Sequence, residues 1–383
     1  MELPLRRACY GNPVTHTLEP LRFDPEYEIY FRHPAFPDSH DILIIIPGLD
    51  HPDGGIHHQT ALDACAVLAN NRYDGWFTED REGTVRVKIP LDGILQKKNY
   101  YFQVSDNYQD VYPIVPSFED WAFPHGNLPR AWNLDIPRTA DHPTPRQSTL
   151  IDAILSRDIR CRVTNHIEGT ECAHLIPRNQ SSWFQRNMMA RYGKTPRPGS
   201  EPIDNPRNVI LLRSDIHTSF DYRRFTFVPK PRCTASTDLR DGGNEARAYA
   251  IHIFCSPDPH ELTSLYHNVT LQLLTGVAPE YLFARFAWTI FQFIPIFVQA
   301  GVPRRIALYE PATSLTSSVP RTEPLIKTLS GEECRLLPLH NKSGSSSPKK
   351  RKPEDEETGS TDMNCERGRQ HINGVIIRIG RGD

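Results

Sequence analysis

Four side chains, His174, Asn208, His217 and Asp221, are of the types that phosphodiester hydrolysis uses. Water attacking phosphorus must lose a proton, and a neutral imidazole is the side chain whose ordinary pKa suits that step near pH 7, a role His174 can fill. The leaving 3′ oxygen and the nonbridging oxygens gain negative charge, which a divalent cation neutralises. His217 and Asp221 stand at i and i+4 of Ser214-Asp215-Ile216-His217-Thr218-Ser219-Phe220-Asp221. A helix there, capped by Ser214, turns an imidazole and a carboxylate to one face able to grip one ion. Asn208 can orient the histidine or complete the metal shell through its amide oxygen. Oxygen and imidazole donors admit Mg2+, Mn2+, Ni2+ or Zn2+, with Mg2+ foremost. Arg178, Arg213, Arg223 and Arg224 lie nearby in the sequence, and guanidinium forks hold phosphates bidentately.

Three short elements must position these groups. Cys172-Ala173-His174-Leu175-Ile176-Pro177 reads as an apolar strand presenting one histidine, and Asn208-Val209-Ile210-Leu211-Leu212-Arg213 as a second strand opened by the asparagine. The helix of His217 and Asp221 follows at once, and His166 falls in a hairpin loop. Residues 155–232 hold fourteen Lys and Arg against seven Asp and Glu, in a chain whose net charge is −2. Such a local excess suits a phosphate-bearing partner, although a solvated basic surface has the same count. Cys161 and Cys172 with His217 form a rival zinc set, but no Cys-x-x-Cys pair occurs among the eight cysteines. Adjacent His57 and His58 have no further ligand type at metal spacing, so they are read as serving the helix N-terminus or packing and are given no site.

The Ala173-His174-Leu175-Ile176-Pro177 and Asp215-Ile216-His217-Thr218-Ser219-Phe220-Asp221 strings, in the order His, Asn, His, resemble the HNH endonuclease family. More narrowly, they resemble the HNH domain of fungal proteins. The resemblance implies a β-hairpin and helix around one metal, the ββα-metal arrangement. It matches His174 to the family's general base, Asn208 to its middle asparagine, and His217 with Asp221 to its helix-borne ligands. The step from Asn208 to His217 also resembles that of colicin-type nucleases. Flanking segments, Gly54-Gly55-Ile56-His57-His58 and Leu282-Phe283-Ala284-Arg285-Phe286-Ala287-Trp288 among them, resemble those that accompany the fungal domain. One departure stands out: many HNH modules carry Asp or His just before the base, where this chain has Ala173. Glu171 shares the strand face of Ala173 and can substitute. The expected activity is DNA endonuclease. The alternative is a catalytically inactive nucleic-acid-binding or adaptor protein on the same scaffold, which Ala173 favours. A third reading is a structural interaction protein using the aromatic stretch at residues 283–297.

The expected fold class is α+β: a mixed α/β accessory domain over residues 1–135, a linker over 136–154, the HNH module over 155–232, a helical segment over 233–310 that packs on it, and a disordered tail over 311–383. Strands are expected at residues 41–46 and 83–89, and helices at 59–69, 262–274 and 280–300. The last of these is strongly apolar, but Arg285, Gln292 and Pro295 make a bilayer span costly, so no membrane partner is expected. The start lacks the apolar run of a secretory signal, so the protein is not expected to be secreted. Pro348-Lys349-Lys350-Arg351-Lys352-Pro353 resembles a nuclear-import signal, which makes an import receptor an expected partner and the nucleus, or nucleus and cytoplasm, the expected location.

Overall fold

The computed structural model describes residues 27–137, 149–195, 199–231, 247–255, 261–309 and 324–338. Its architecture is mixed α/β. The β-branched run after Asp41 forms β2 (Ile42–Pro47), antiparallel to β1 (Glu28–Arg32). On its other side β1 runs parallel to β6 (Asn99–Gln103), which pairs antiparallel with β4 (Trp76–Thr78). Short β3 (Ile56–His57) pairs with β5 (Ile94–Leu95) and leads directly into α1 (His58–Leu68), an alanine-rich helix buried on almost every side.

The strand expected at residues 83–89 reduces to one bridge, Thr78 to Arg86. Val87 and Ile89 pack against the core, but Val85 is 48 % exposed and Asp80 accepts the N–H groups of Thr84 and Val85, so the ladder does not extend.

Asp63 of α1 is buried and accepts from Gln59 Nε2 and Trp132 Nε1, each at 2.8 Å. Burial pushes its carboxyl up to about 7, against the opposing pull of those two bonds. The unfolded chain releases this proton at about 3.9 and the folded chain holds it longer. This contribution to stability is therefore complete below about pH 4 and is lost as pH rises through about 7, with a slope of up to about 1.4 kcal/mol per pH unit. Thermal melts of Asp63→Asn, whose amide can pair with a flipped Gln59, should show a flatter pH dependence than the parent. An identical slope in the two proteins would count against a protonated Asp63.

The central stretch contains α2 (Leu150–Asp158), opened by a reciprocal Thr149 and Asp152 capping box, then β7 (Thr170–His174), α3 (Ser181–Arg186), β8 (Val209–Arg213) and α4 (Ser214–Asp221). Helix α2 begins inside the expected linker. Strands β9 (Phe225–Pro231) and β10 (Arg247–Ile253) form an antiparallel pair, followed by α5 (Glu261–Tyr266). The helix expected over 262–274 ends with α5. Asn268 turns the backbone to φ 62°, and the chain then bonds along β10, through Val269 O to Ile251 N and a bridge from Thr270 to Ala250.

Helix α6 (Pro279–Ile290) is buried nearly throughout, and α7 (Pro295–Val298) is separate. Pro295 lacks the N–H that a continuous helix needs, which divides the expected 280–300 helix. No helix of the described residues is long and apolar enough to cross a membrane. Strands β11 (Arg304–Leu308) and β12 (Leu325–Leu329) pair antiparallel, and α8 (Gly331–Leu336) starts at a Ser330 and Glu333 capping box. The tail expected from residue 311 is thus ordered at β12 and α8, while Lys349, Lys350, Arg351 and Lys352 lie outside the described residues.

One contiguous set of buried apolar side chains runs from Ile29 to Cys334 and crosses the boundaries expected near 135 and 232. Trp121 stacks on Trp183 at 5.6 Å, and Trp183 Nε1 donates to Trp121 O at 2.7 Å. The N-terminal segment therefore packs against the central stretch rather than hanging from it.

Candidate functional site

Strands β7 and β8 pair with Glu171 opposite Leu212, Ala173 opposite Ile210 and His174 opposite Val209. Alternation turns Glu171 and Ala173 to the face that α4 covers, and Cys172 to the face where Ile154 of α2 packs with Val209 and Leu211. Helix α4 leaves β8 without a loop, burying Ile216 and Phe220. Ser214 is its first helical residue and makes no side-chain cap, a correction to the expected role. The spacing of His217 and Asp221 has the expected effect: His217 Nε2 lies 3.5 Å from Asp221 Oδ2, and Nδ1 lies 2.8 Å from Glu171 Oε2.

His174 has different neighbours. Its Nε2 lies 2.9 Å from Asp204 Oδ1, and Arg178 grips the same carboxylate with Nε at 2.7 Å and Nη2 at 3.0 Å. The bond from His174, opposed by burial and helped by Arg178, holds the Asp204 carboxyl below its usual range. Asn208 is fully buried and spends its amide on backbone groups: Oδ1 accepts from Ile176 N at 2.9 Å, and Nδ2 donates to Ile176 O and Ile203 O, each at 3.0 Å. It holds the turn after His174 rather than touching the ring.

His174 with Asp204 and His217 with Asp221 thus form two pairs. A buried guanidinium joins their surroundings. Arg285 Nη2 donates to Phe220 O, beside Asp221, and Nη1 lies 3.5 Å from Leu175 O, beside His174. The guanidinium also sits 3.4 Å from the Phe220 ring centroid and 4.5 Å from that of Trp288, and burial pushes its pKa down to about 9.

The four arginines expected to hold phosphates divide evenly. Arg178 is paired with Asp204, and Arg213 is bidentate to Asp215 at 2.6 Å. Arg223 stands over Trp288 at 5.0 Å and Arg224 over Tyr222 at 5.6 Å. Burial lowers Arg223 to about 10.

The strand pair β7 and β8 is followed directly by α4, the helix that bears His217 and Asp221. Residues 161–228 match the HNH endonuclease family model. No curated protein and no solved structure matches the chain. The HNH stretch contains His174, Asp204, Asn208, His217 and Asp221. Its Ala173, where many HNH modules carry a ligand, is fully buried in the core and offers no donor.

Among the described residues, three metal-capable donors converge within 4.8 Å at Asp50, His252 and His267, outside the HNH stretch. That position already holds a cation. Lys230 Nζ lies 2.5 Å from Asp50 Oδ1, 3.0 Å from His252 Nδ1 and 2.5 Å from Asn268 Oδ1, so each of the three ammonium hydrogens has an acceptor. The trio is an ion-pair cluster built around lysine, not a metal centre. His57, given no site from the sequence, is fully buried and donates its backbone N–H to Asp50 Oδ2 at 2.7 Å. Cys161 and Cys172 do not gather with His217. Cys172 lies on the other strand face, and Cys161 accepts from Thr164 N at 3.3 Å.

Asp204, Arg285 and the Lys230 cluster were invisible to spacing arguments. Asp204 is 30 residues from His174 and sits in a turn whose Ile-Asp-Asn-Pro sequence signals only a turn.

Proposed function

We propose that the HNH module is a divalent-metal-dependent DNA endonuclease of the ββα-metal class. The observation that carries this reading is the pairing of His217 Nε2 and Asp221 Oδ2 at 3.5 Å, within the HNH match and on the helix that follows the His174 hairpin. Two donors each about 2.1 Å from one ion stand roughly 3.0 Å apart at a right angle and about 3.4 Å apart at a tetrahedral angle. The pair therefore fits one cation with little adjustment. Glu171 acts behind His217, accepting from Nδ1 and leaving Nε2 for the metal, the usual arrangement for a ligating histidine. When bound, the ion offsets charge on the leaving oxygen.

The chain's own residues supply the rest. His174 takes the proton as a water oxygen bonds to phosphorus and the P–O3′ bond breaks. Asn208 and Arg285 hold the backbone just after it, at Ile176 and Leu175. Arg223 and Arg224, which stand over the Trp288 and Tyr222 rings, are the arginines that this reading gives to phosphates, and the basic string at residues 348–353 supports a nuclear protein.

The buried Ala173 favours a second reading, a noncatalytic nucleic-acid-binding protein. Nicking of supercoiled plasmid by the purified chain with Mg2+, Mn2+ or Ni2+, and its loss on chelation, separates the two. Folded wild-type and His174→Ala proteins that are equally inert with every metal would reject the enzyme reading.

A further inference from the structure

The turn that carries Asp204 is held from both sides. Asn208 Nδ2 fixes Ile203 O, and the largely buried Asn205 side chain bonds Lys194 N at 3.1 Å, Lys194 O at 2.7 Å and Arg207 N at 3.1 Å. Asp204 N donates to Glu201 O at 2.9 Å. The carboxylate is thus presented to His174 from a rigid seat, with Arg178 fixing its second oxygen. An ionised carboxylate only accepts, so the proton in the 2.9 Å contact with His174 belongs to Nε2. In the neutral ring the free lone pair is then on Nδ1.

We propose that Asp204 is the positioning residue for His174, fixing its ring and tautomer so that Nδ1 receives the proton from water. This rests on the nuclease reading above. The imidazolium formed in the step then lies against a carboxylate already in place, as in other histidine bases backed by an acid. The other charged groups around this turn are Arg178, on the same carboxylate, and Arg285, 3.5 Å from Leu175 O.

The test combines ring spectroscopy with kinetics on the full chain. In 15N-histidine spectra, the signal that disappears in His174→Ala should be a ring protonated at Nε2, with that proton protected from water. In Asp204→Ala the protected proton should vanish, and kcat for plasmid nicking should fall about 10- to 100-fold with KM within about twofold. Asp204→Asn keeps the shape of the turn and should also lose kcat, which guards against a folding defect in the alanine variant. A ring protonated at Nδ1 in the wild type, or Asp204 variants with unchanged ring signal and kcat, would overturn the proposal. A wild type with the protected proton but no cleavage retains Asp204 as the anchor of His174 and rejects the nuclease reading instead.

Discussion

Replacing His174 with alanine is expected to slow metal-dependent cleavage by roughly 10²- to 10⁴-fold, the range over which a positioned base accelerates proton transfer. Metal binding should change little, because His217 pairs with Asp221 and Glu171 whereas His174 pairs with Asp204. The fold should survive as well. The turn after His174 is held by Asn208 through Ile176, and Asp204 keeps its bidentate partner Arg178 when the imidazole is removed. The contrast with His217→Ala is the discriminating part. That variant should lose divalent-ion affinity in a calorimetric titration, whereas His174→Ala should bind the ion as the parent does and fail at the chemical step. A His174→Ala protein that cleaves at more than about a third of the parental rate, outside the range for a lost base, would remove His174 from the mechanism.

Local pattern carried the parts of this molecule that depend on neighbours in sequence. The β-branched run of β2, the alanine-rich α1 and the hairpin and helix of the HNH stretch all bury a face that period-2 or period-3.6 spacing reveals. The pairing of His217 with Asp221 is also local, one helical turn apart. Failures came where tertiary partners decide. Residues 83–89 alternate correctly and pack Val87 and Ile89 against the core, but Asp80 takes the N–H groups of Thr84 and Val85 and only one bridge forms. Residues 267–270 leave a helical pattern because β10 offers a free edge. The partners of His174 and the acceptors of Lys230 are set by chain crossings, up to 180 residues apart for Lys230 and Asp50, and no periodicity encodes those.

That long-range contact is the site of the second large effect. Lys230 and Asp50 are both fully buried, and they join β9 to the loop before β3. Burial alone would raise the Asp50 carboxyl, but the Lys230 charge and the hydrogen bond from His267 Nε2 at 2.9 Å outweigh it and hold Asp50 well below its ordinary value. Burial, aided by the Lys230 charge, keeps His252 well below 6.5, so its neutral Nδ1 can accept from the ammonium. Lys230→Met leaves a buried carboxylate without its cation and leaves His252 Nδ1 and Asn268 Oδ1 without that donor. A loss of about 3–5 kcal/mol in denaturant unfolding is expected, with Asp50→Asn of similar size. The double variant removes both charges and should lose less than the sum of the singles. In Lys230→Met, Asp50 can relieve its isolation by binding a proton. Its folded pKa then lies above the unfolded one, so this variant should regain part of its deficit relative to the parent as pH falls. Additive single losses, or a deficit that does not shrink toward low pH, would mean that Lys230 is held there by packing and not by its charge.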